Sequence, residues 1–120
     1  MSLGYLLDEH VPRSLKTEIV RREPELTVWR VGEVGAPVLG TLDPQVLQWC
    51  ELVECVLVTN NRRTMPAHLA THLAAGRHVP GIFVLDLHMS LAATADHLAL
   101  VAIASFPDEY RDTIRFLPLQ

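Results

Sequence analysis

The sequence predicts an α/β domain of three layers, α/β/α, built on a mainly parallel sheet of about five strands. Three observations predict it. Strand-like and helix-like segments alternate four times before a closing strand. The first, third and fourth strand-like runs, Leu3 to Leu7, Val56 to Thr59 and Gly81 to Leu85, are continuously apolar, as parallel strands covered on both faces are. The chain has 120 residues, 49% of them hydrophobic and 20% charged, enough for one core and too few for a second. Residues 1–120 are therefore read as a single domain.

Leu3 to Leu7 ends at Asp8 and is too short for a helix. Pro12 suits the first turn of the helix that follows. Leu15, Ile19 and Val20 give that helix a buried face, and Arg13, Lys16, Arg21 and Arg22 an outer one. Pro24 ends it. Thr27 to Val31, β-branched and aromatic, is the second strand, and Gly32 to Leu42, with three glycines and a proline, is a loop. Asp43-Pro44 starts the next helix, with Asp43 as N-cap, Pro44 at the first helical position, and Val46, Leu47, Cys50 and Val53 on one face. After Val56 to Thr59 come a polar turn, Asn60 to Thr64, and a helix from Met65 to Ala75 closed by Gly76. Gly81 to Leu85 is the fourth strand. Ser90 caps a helix to about Ala104, and Thr113 to Leu117 is a short last strand after the polar turn Pro107 to Arg111.

Composition narrows the function. Ten Lys+Arg against fourteen Asp+Glu give a net charge of −4, which argues against coating nucleic acid through bulk charge and leaves only local basic patches. Apolar stretches such as Leu98 to Ala104 fall short of the ~20 residues of a membrane span. Met1-Ser2-Leu3-Gly4 lacks the basic start of a signal peptide, so a cytoplasmic protein is expected. Cys50 and Cys55 form no CxxC pair and read as reduced core thiols. Gly32-Glu33-Val34-Gly35-Ala36-Pro37 has neither GxGxxG nor P-loop spacing, so no nucleotide cofactor is expected. No serine or cysteine lies in a nucleophile elbow.

In parallel sheets, right-handed crossovers bring functional groups to the carboxyl ends of the strands. Asp8-Glu9-His10 follows the first strand, Asn60-Asn61-Arg62-Arg63 the third and Asp86-Leu87-His88 the fourth. Asp43 opens the helix after the second. Carboxylate and amide oxygens in this number suit Mg²⁺ or Mn²⁺, the cations that activate water for phosphodiester hydrolysis. The alternative is that Asp8 and Asn60 merely cap helices or turns.

The opening Leu6-Leu7-Asp8-Glu9-His10-Val11-Pro12, then Asp43 at a helix start and Val56-Leu57-Val58-Thr59, resembles the PIN-like family of short prokaryotic proteins that begin LLDE-x-x-P. The resemblance reaches to about Leu85. It implies a compact α/β/α fold and, by analogy with many PIN-like domains, a Mg²⁺- or Mn²⁺-dependent ribonuclease of the toxin–antitoxin kind. Asp8 matches the first metal-binding acid, Glu9 the acid beside it, and Asp43 the acid at the following helix start. After the third strand the family usually shows Thr-x-Asp-x-Asp-Phe. This chain has Thr59-Asn60-Asn61-Arg62-Arg63-Thr64, with Asn61 and Arg63 where the acids are expected. An amide oxygen can coordinate a hard cation without neutralising it, and a guanidinium cannot coordinate one. Asp86 is the carboxylate placed to make up the loss.

The expected metal set is thus Asp8, Asp43, Asn60, Asn61 and Asp86, with Glu9 orienting ligands or water. Arg62, Arg63, His10 and Arg13 are the expected phosphate or RNA contacts. His68 and His72, at i and i+4, have zinc-ligand spacing, but the intervening Leu69-Ala70-Thr71 lacks the glutamate of HExxH, and both are expected on the helix flank or in solvent. Two functions fit: a PIN-like metal-dependent ribonuclease, or the same fold with a weakened site that binds RNA or a protein partner such as an antitoxin or a second copy.

Overall fold

The computed structural model describes residues 3–119. Five strands, β1 (Gly4–Leu7), β2 (Val28–Arg30), β3 (Cys55–Thr59), β4 (Ile82–Val84) and β5 (Ile114–Phe116), alternate with four helices. These are α1 (Arg13–Arg22), α2 (Asp43–Val53), α3 (Met65–Ala74) and α4 (Leu91–Ala104). All strands are parallel, in the order β2-β1-β3-β4-β5.

Both faces of this sheet are covered, as the continuous apolar runs require. β3 is buried at every position. Alternation along each strand sorts the core into two layers. Tyr5, Leu7, Val58 and Phe83 pack with α1 and α4, while Leu6, Leu57 and Ile82 pack with α2 and α3. Leu6, Leu7, Leu57 and Val58 are fully buried. Val20, expected in the core, is only partly buried on the flank of α1. Val53, expected on the buried face of α2, is 37% exposed, because it is the last residue of α2 before the left-handed turn at Glu54 (φ 61°).

Among the described residues no helix is long and apolar enough to cross a membrane. Ser90 caps α4 as expected, its hydroxyl accepting the Ala93 N–H at 3.0 Å. Two other helix starts differ. Pro12 is the N-cap of α1 and lies just outside the helix. Leu42 is the N-cap of α2, its carbonyl accepting from the Gln45 and Val46 N–H groups, so Asp43 is the first helical residue and Pro44 the second. The Asp43 carboxylate makes no capping bond and is left free to face the neighbouring strand end.

The crossovers also depart from the uniform right hand expected. From β1 to β2 the chain steps one way across α1's face, and from β2 to β3 and β3 to β4 it steps the other way across the opposite face, so these three share one hand. From β4 to β5 it steps in the second direction, yet α4 lies on α1's face. The fourth crossover therefore has the opposite hand. The reason is coverage: α2 and α3 already fill one face, and α1 alone cannot shield Tyr5, Leu7, Val58 and Phe83 from water. The Tyr5 hydroxyl donates to the Leu98 carbonyl at 2.7 Å, pinning α4 over the middle of the sheet.

Candidate functional site

The order of the strands reverses between β1 and β3, so the crevice beyond their carboxyl ends is where this type of sheet binds ligands. β1 delivers Asp8 there and β3 delivers Thr59, Asn60 and Asn61. Because Leu6 and Leu57 face the α2/α3 layer, two-residue alternation turns Asp8 and Thr59 the same way. The Thr59 hydroxyl donates to Asp8 Oδ2 at 2.8 Å and accepts the Asn61 N–H at 3.0 Å. Asn61 Nδ2 donates to Asp43 Oδ2 at 3.0 Å and to Thr64 Oγ1 at 2.7 Å, and its Oδ1 accepts the Thr64 N–H at 3.0 Å. His68 Nε2, on the first turns of α3, stands 3.5 Å from Asp43 Oδ2. Asp8 and Asp43, thirty-five residues apart in sequence, thus belong to one network.

The remaining expected ligands lie elsewhere. Asn60 follows Thr59 and turns to the α1/α4 side, where its Nδ2 donates to the His10 carbonyl at 3.0 Å. Its Oδ1 is shielded from solvent and accepts nothing from the described residues. Asn60, His10 and Asp86 line a cleft of about 200 Å³ with Leu15, Leu85 and Met89 among its walls. The five expected metal ligands therefore divide into Asp8, Asp43 and Asn61 on one side, and Asn60 and Asp86 on the other. Glu9 is part of neither group: its Oε1 accepts the Gly40 N–H at 2.9 Å and anchors the long loop after β2. Arg13 and Arg63 are exposed, and the guanidinium of exposed Arg62 lies over the ring of Phe116, 5.5 Å from its centre.

The metal expectation centres on Asp43, whose partners are as follows. The group that meets Asp43 Oδ2 is the amide Nδ2 of Asn61, a donor, and the amide oxygen is engaged by the Thr64 N–H. Among the described residues no three His, Cys, Asp or Glu side chains converge closely enough to hold an ion. Two participants were assigned no role from sequence, Thr59 and, at this edge, His68. Thr59 stood in the strand-end motif, and full burial of a threonine is the sign that its hydroxyl has a partner. His68 stood on the helix read for zinc.

His72 corrects that reading further. Expected on the flank or in solvent, it is buried, its Nε2 3.1 Å from Glu51 Oε1 and 3.0 Å from the His78 carbonyl. One turn of helix sends His68 to the carboxyl edge and His72 to the amino edge, so the two imidazoles meet different carboxylates and share no ligand site. The amino edge also holds the larger cleft, about 620 Å³, lined by Gly4, Cys55, Val79 and Pro107 among others and far from Asp8. Burial pushes the Cys55 thiol up to about 11 and the Cys50 thiol well above its ordinary value, so both are inert thiols, as their positions in sequence suggest. Comparison with protein-family models, curated proteins and solved structures finds no match to this chain.

Proposed function

We propose that this chain is a PIN-like module that binds single-stranded RNA at the carboxyl edge of its sheet and does not hydrolyse it. The observation that supports this best is the pairing of Arg62 with Phe116, an aromatic ring 51% exposed at the end of β5. Guanidinium planes and aromatic faces are what unstacked bases pack against, and Arg63 beside them is exposed for a phosphate. A net charge of −4 puts the affinity on this patch alone and makes it moderate and salt-sensitive. Asn61 argues against hydrolysis: its amide holds Asp43 by a hydrogen bond at the place where the resemblance expects an acid.

The second reading is a Mg²⁺- or Mn²⁺-dependent ribonuclease, a toxin with an antitoxin partner, and it is favoured by the linkage of intact Asp8 and Asp43 in one network. One experiment separates the two. Fluorescence anisotropy of a labelled single-stranded RNA should show binding that Mn²⁺ does not alter. Arg63→Ala should weaken it and lower the slope of log affinity against log salt by about 0.7, the loss of one phosphate contact on a single strand. Cleavage that needs Mn²⁺ and disappears in Asp8→Asn would instead establish the ribonuclease.

A further inference from the structure

An open sheet presents a row of unpaired backbone N–H and C=O groups along each of its two outer strands. Here those strands are β2 and β5, and the chain treats them differently. On β2 the Thr27 carbonyl and the Val31 N–H bond to β1, which turns the backbone groups of Arg30 outward, and Glu33 takes both. Its carboxylate accepts the Arg30 N–H, and its own N–H donates to the Arg30 carbonyl at 3.1 Å. Lys16 Nζ, 2.7 Å from Glu33 Oε2, holds that closure, and Val28 beside it is buried. On β5 the Thr113 carbonyl and the Leu117 N–H bond to β4, which turns the backbone groups of Ile114 and Phe116 outward. No described residue closes them.

The side chains along this open row are cationic on both faces of the sheet. Ile114 packs with the α2/α3 layer, so Phe116 faces that side as well, with the exposed Arg62 guanidinium 5.5 Å from its ring centre. Exposed Arg115 faces the α1/α4 side, 5.8 Å from the ring centre of Tyr110. Asp112, the acid nearest β5 in sequence, is committed to His78 and the Val79 N–H. A second copy fits this row poorly: antiparallel pairing through both outward residues sets Arg115 directly against Arg115. A nucleic acid would neutralise the guanidinium groups and leave the backbone row open. An acidic strand satisfies both. We propose that β5 is a docking strand for an extended acidic segment of another protein. The segment extends the five-stranded sheet by one strand through the Ile114 and Phe116 backbone, with one carboxylate towards Arg115 and the next towards Arg62. Backbone pairing supplies the affinity, and the two guanidinium groups select acid. The RNA reading also uses Phe116 and Arg62, but the docking strand does not rest on it.

Fluorescence anisotropy on the full chain tests it with a short labelled peptide of valine and threonine carrying a central Glu-Glu pair, one glutamate to each face. That peptide should bind, and its Lys-Lys counterpart should not. N-methylation of both glutamates keeps their charge, removes the backbone donor that faces β5, and should abolish binding. Phe116→Pro removes an outward N–H that β4 does not use, and should do the same with the fold intact by circular dichroism. Arg115→Glu should weaken the acidic peptide about tenfold. If Phe116→Pro fails to fold, the methylated peptide still decides. Equal binding of the methylated peptide would overturn the docking strand by showing a general anion surface. So would the absence of peptide binding, indifference to Arg115→Glu, or a dimer in sedimentation equilibrium that Phe116→Pro dissolves, which would give the strand to a second copy. Peptide binding by a chain that binds no RNA would uphold the docking strand and discard the RNA reading.

Discussion

The two edges of the sheet each hold a carboxylate network, and the donors nearest the carboxylates differ. At the amino edge the partners include cations and imidazoles. Glu51 Oε1 accepts from Arg77 Nε at 3.0 Å and sits 3.1 Å from His72 Nε2, while Asp112 Oδ2 pairs with His78 Nδ1 at 2.7 Å. Backbone N–H groups of His78 and Val79 complete those shells at Glu51 Oε2 and Asp112 Oδ1. At the carboxyl edge the hydrogen bonds to Asp8 and Asp43 come from neutral Thr59 and Asn61, the His68 imidazole stands farther off at 3.5 Å from Asp43, and Asn60 Oδ1 receives none from the described residues. The amino edge is the better satisfied and has the larger of the two clefts. It works as a tie between α2, α3 and the turn before β5. The carboxyl edge keeps a buried orphan acceptor in Asn60, exposed arginines and an exposed aromatic ring.

The sharpest way to break this comparison is through the strand that supports both edges. β1 runs from Gly4, at the amino-edge cleft, to Leu7, directly before Asp8. Leu7→Ala should destabilise the chain by about 2–5 kcal/mol in urea unfolding, as a large-to-small change at a fully buried site. A loss well under that range would mean that β1 does not hold the two edges together.

Next in size is Thr59→Val, which preserves shape and removes one hydroxyl. It leaves Asp8 Oδ2 and the Asn61 N–H without their shared partner, and should destabilise by about 1–3 kcal/mol on the same scale. Unchanged stability would mean that the network is incidental. Asn61→Asp then turns the central donor into an acid: Oδ1 keeps the Thr64 bond, but the bond to Asp43 becomes repulsion. A cation between the carboxylates relieves that repulsion, so Mn²⁺ should raise the melting temperature of Asn61→Asp and leave wild type unmoved. An equal rise in both would show that the native edge already holds the ion.

The smallest effect belongs to the amino edge and depends on pH. Burial raises the Asp112 carboxyl, but hydrogen bonds from His78 and the Val79 N–H, with the charges of His78 and Arg111, outweigh it, and the net shift is downward. The folded state therefore holds that proton less well than the unfolded state. The contribution to stability is complete above the ordinary aspartate value, about 3.9, and is lost as pH falls through the lower folded value. Melting temperature followed from pH 5 downward should fall less steeply in Asp112→Asn than in wild type. Parallel profiles would remove Asp112 from the tie.

The sequence by itself determined the α/β alternation, the parallel sheet and the identity of the strand-end residues, because short apolar runs and capping residues are local signals. Ser90 and Gly76 end their helices by chemistry within a few residues of themselves, and so they were legible. Asp43 lies one position inside the expected N-cap because the cap is set by the Leu42 carbonyl, and its carboxylate is drawn to Asn61 eighteen residues away. Only the tertiary structure decided which strand-end residues share a face. Side chains alternate along β3, so adjacent Asn60 and Asn61 belong to different sites, and His68 and His72, one helical turn apart, meet different carboxylates, Asp43 and Glu51. The hand of the last crossover was likewise a global matter. It depends on which face three earlier helices leave bare, and no segment of α4 carries that information.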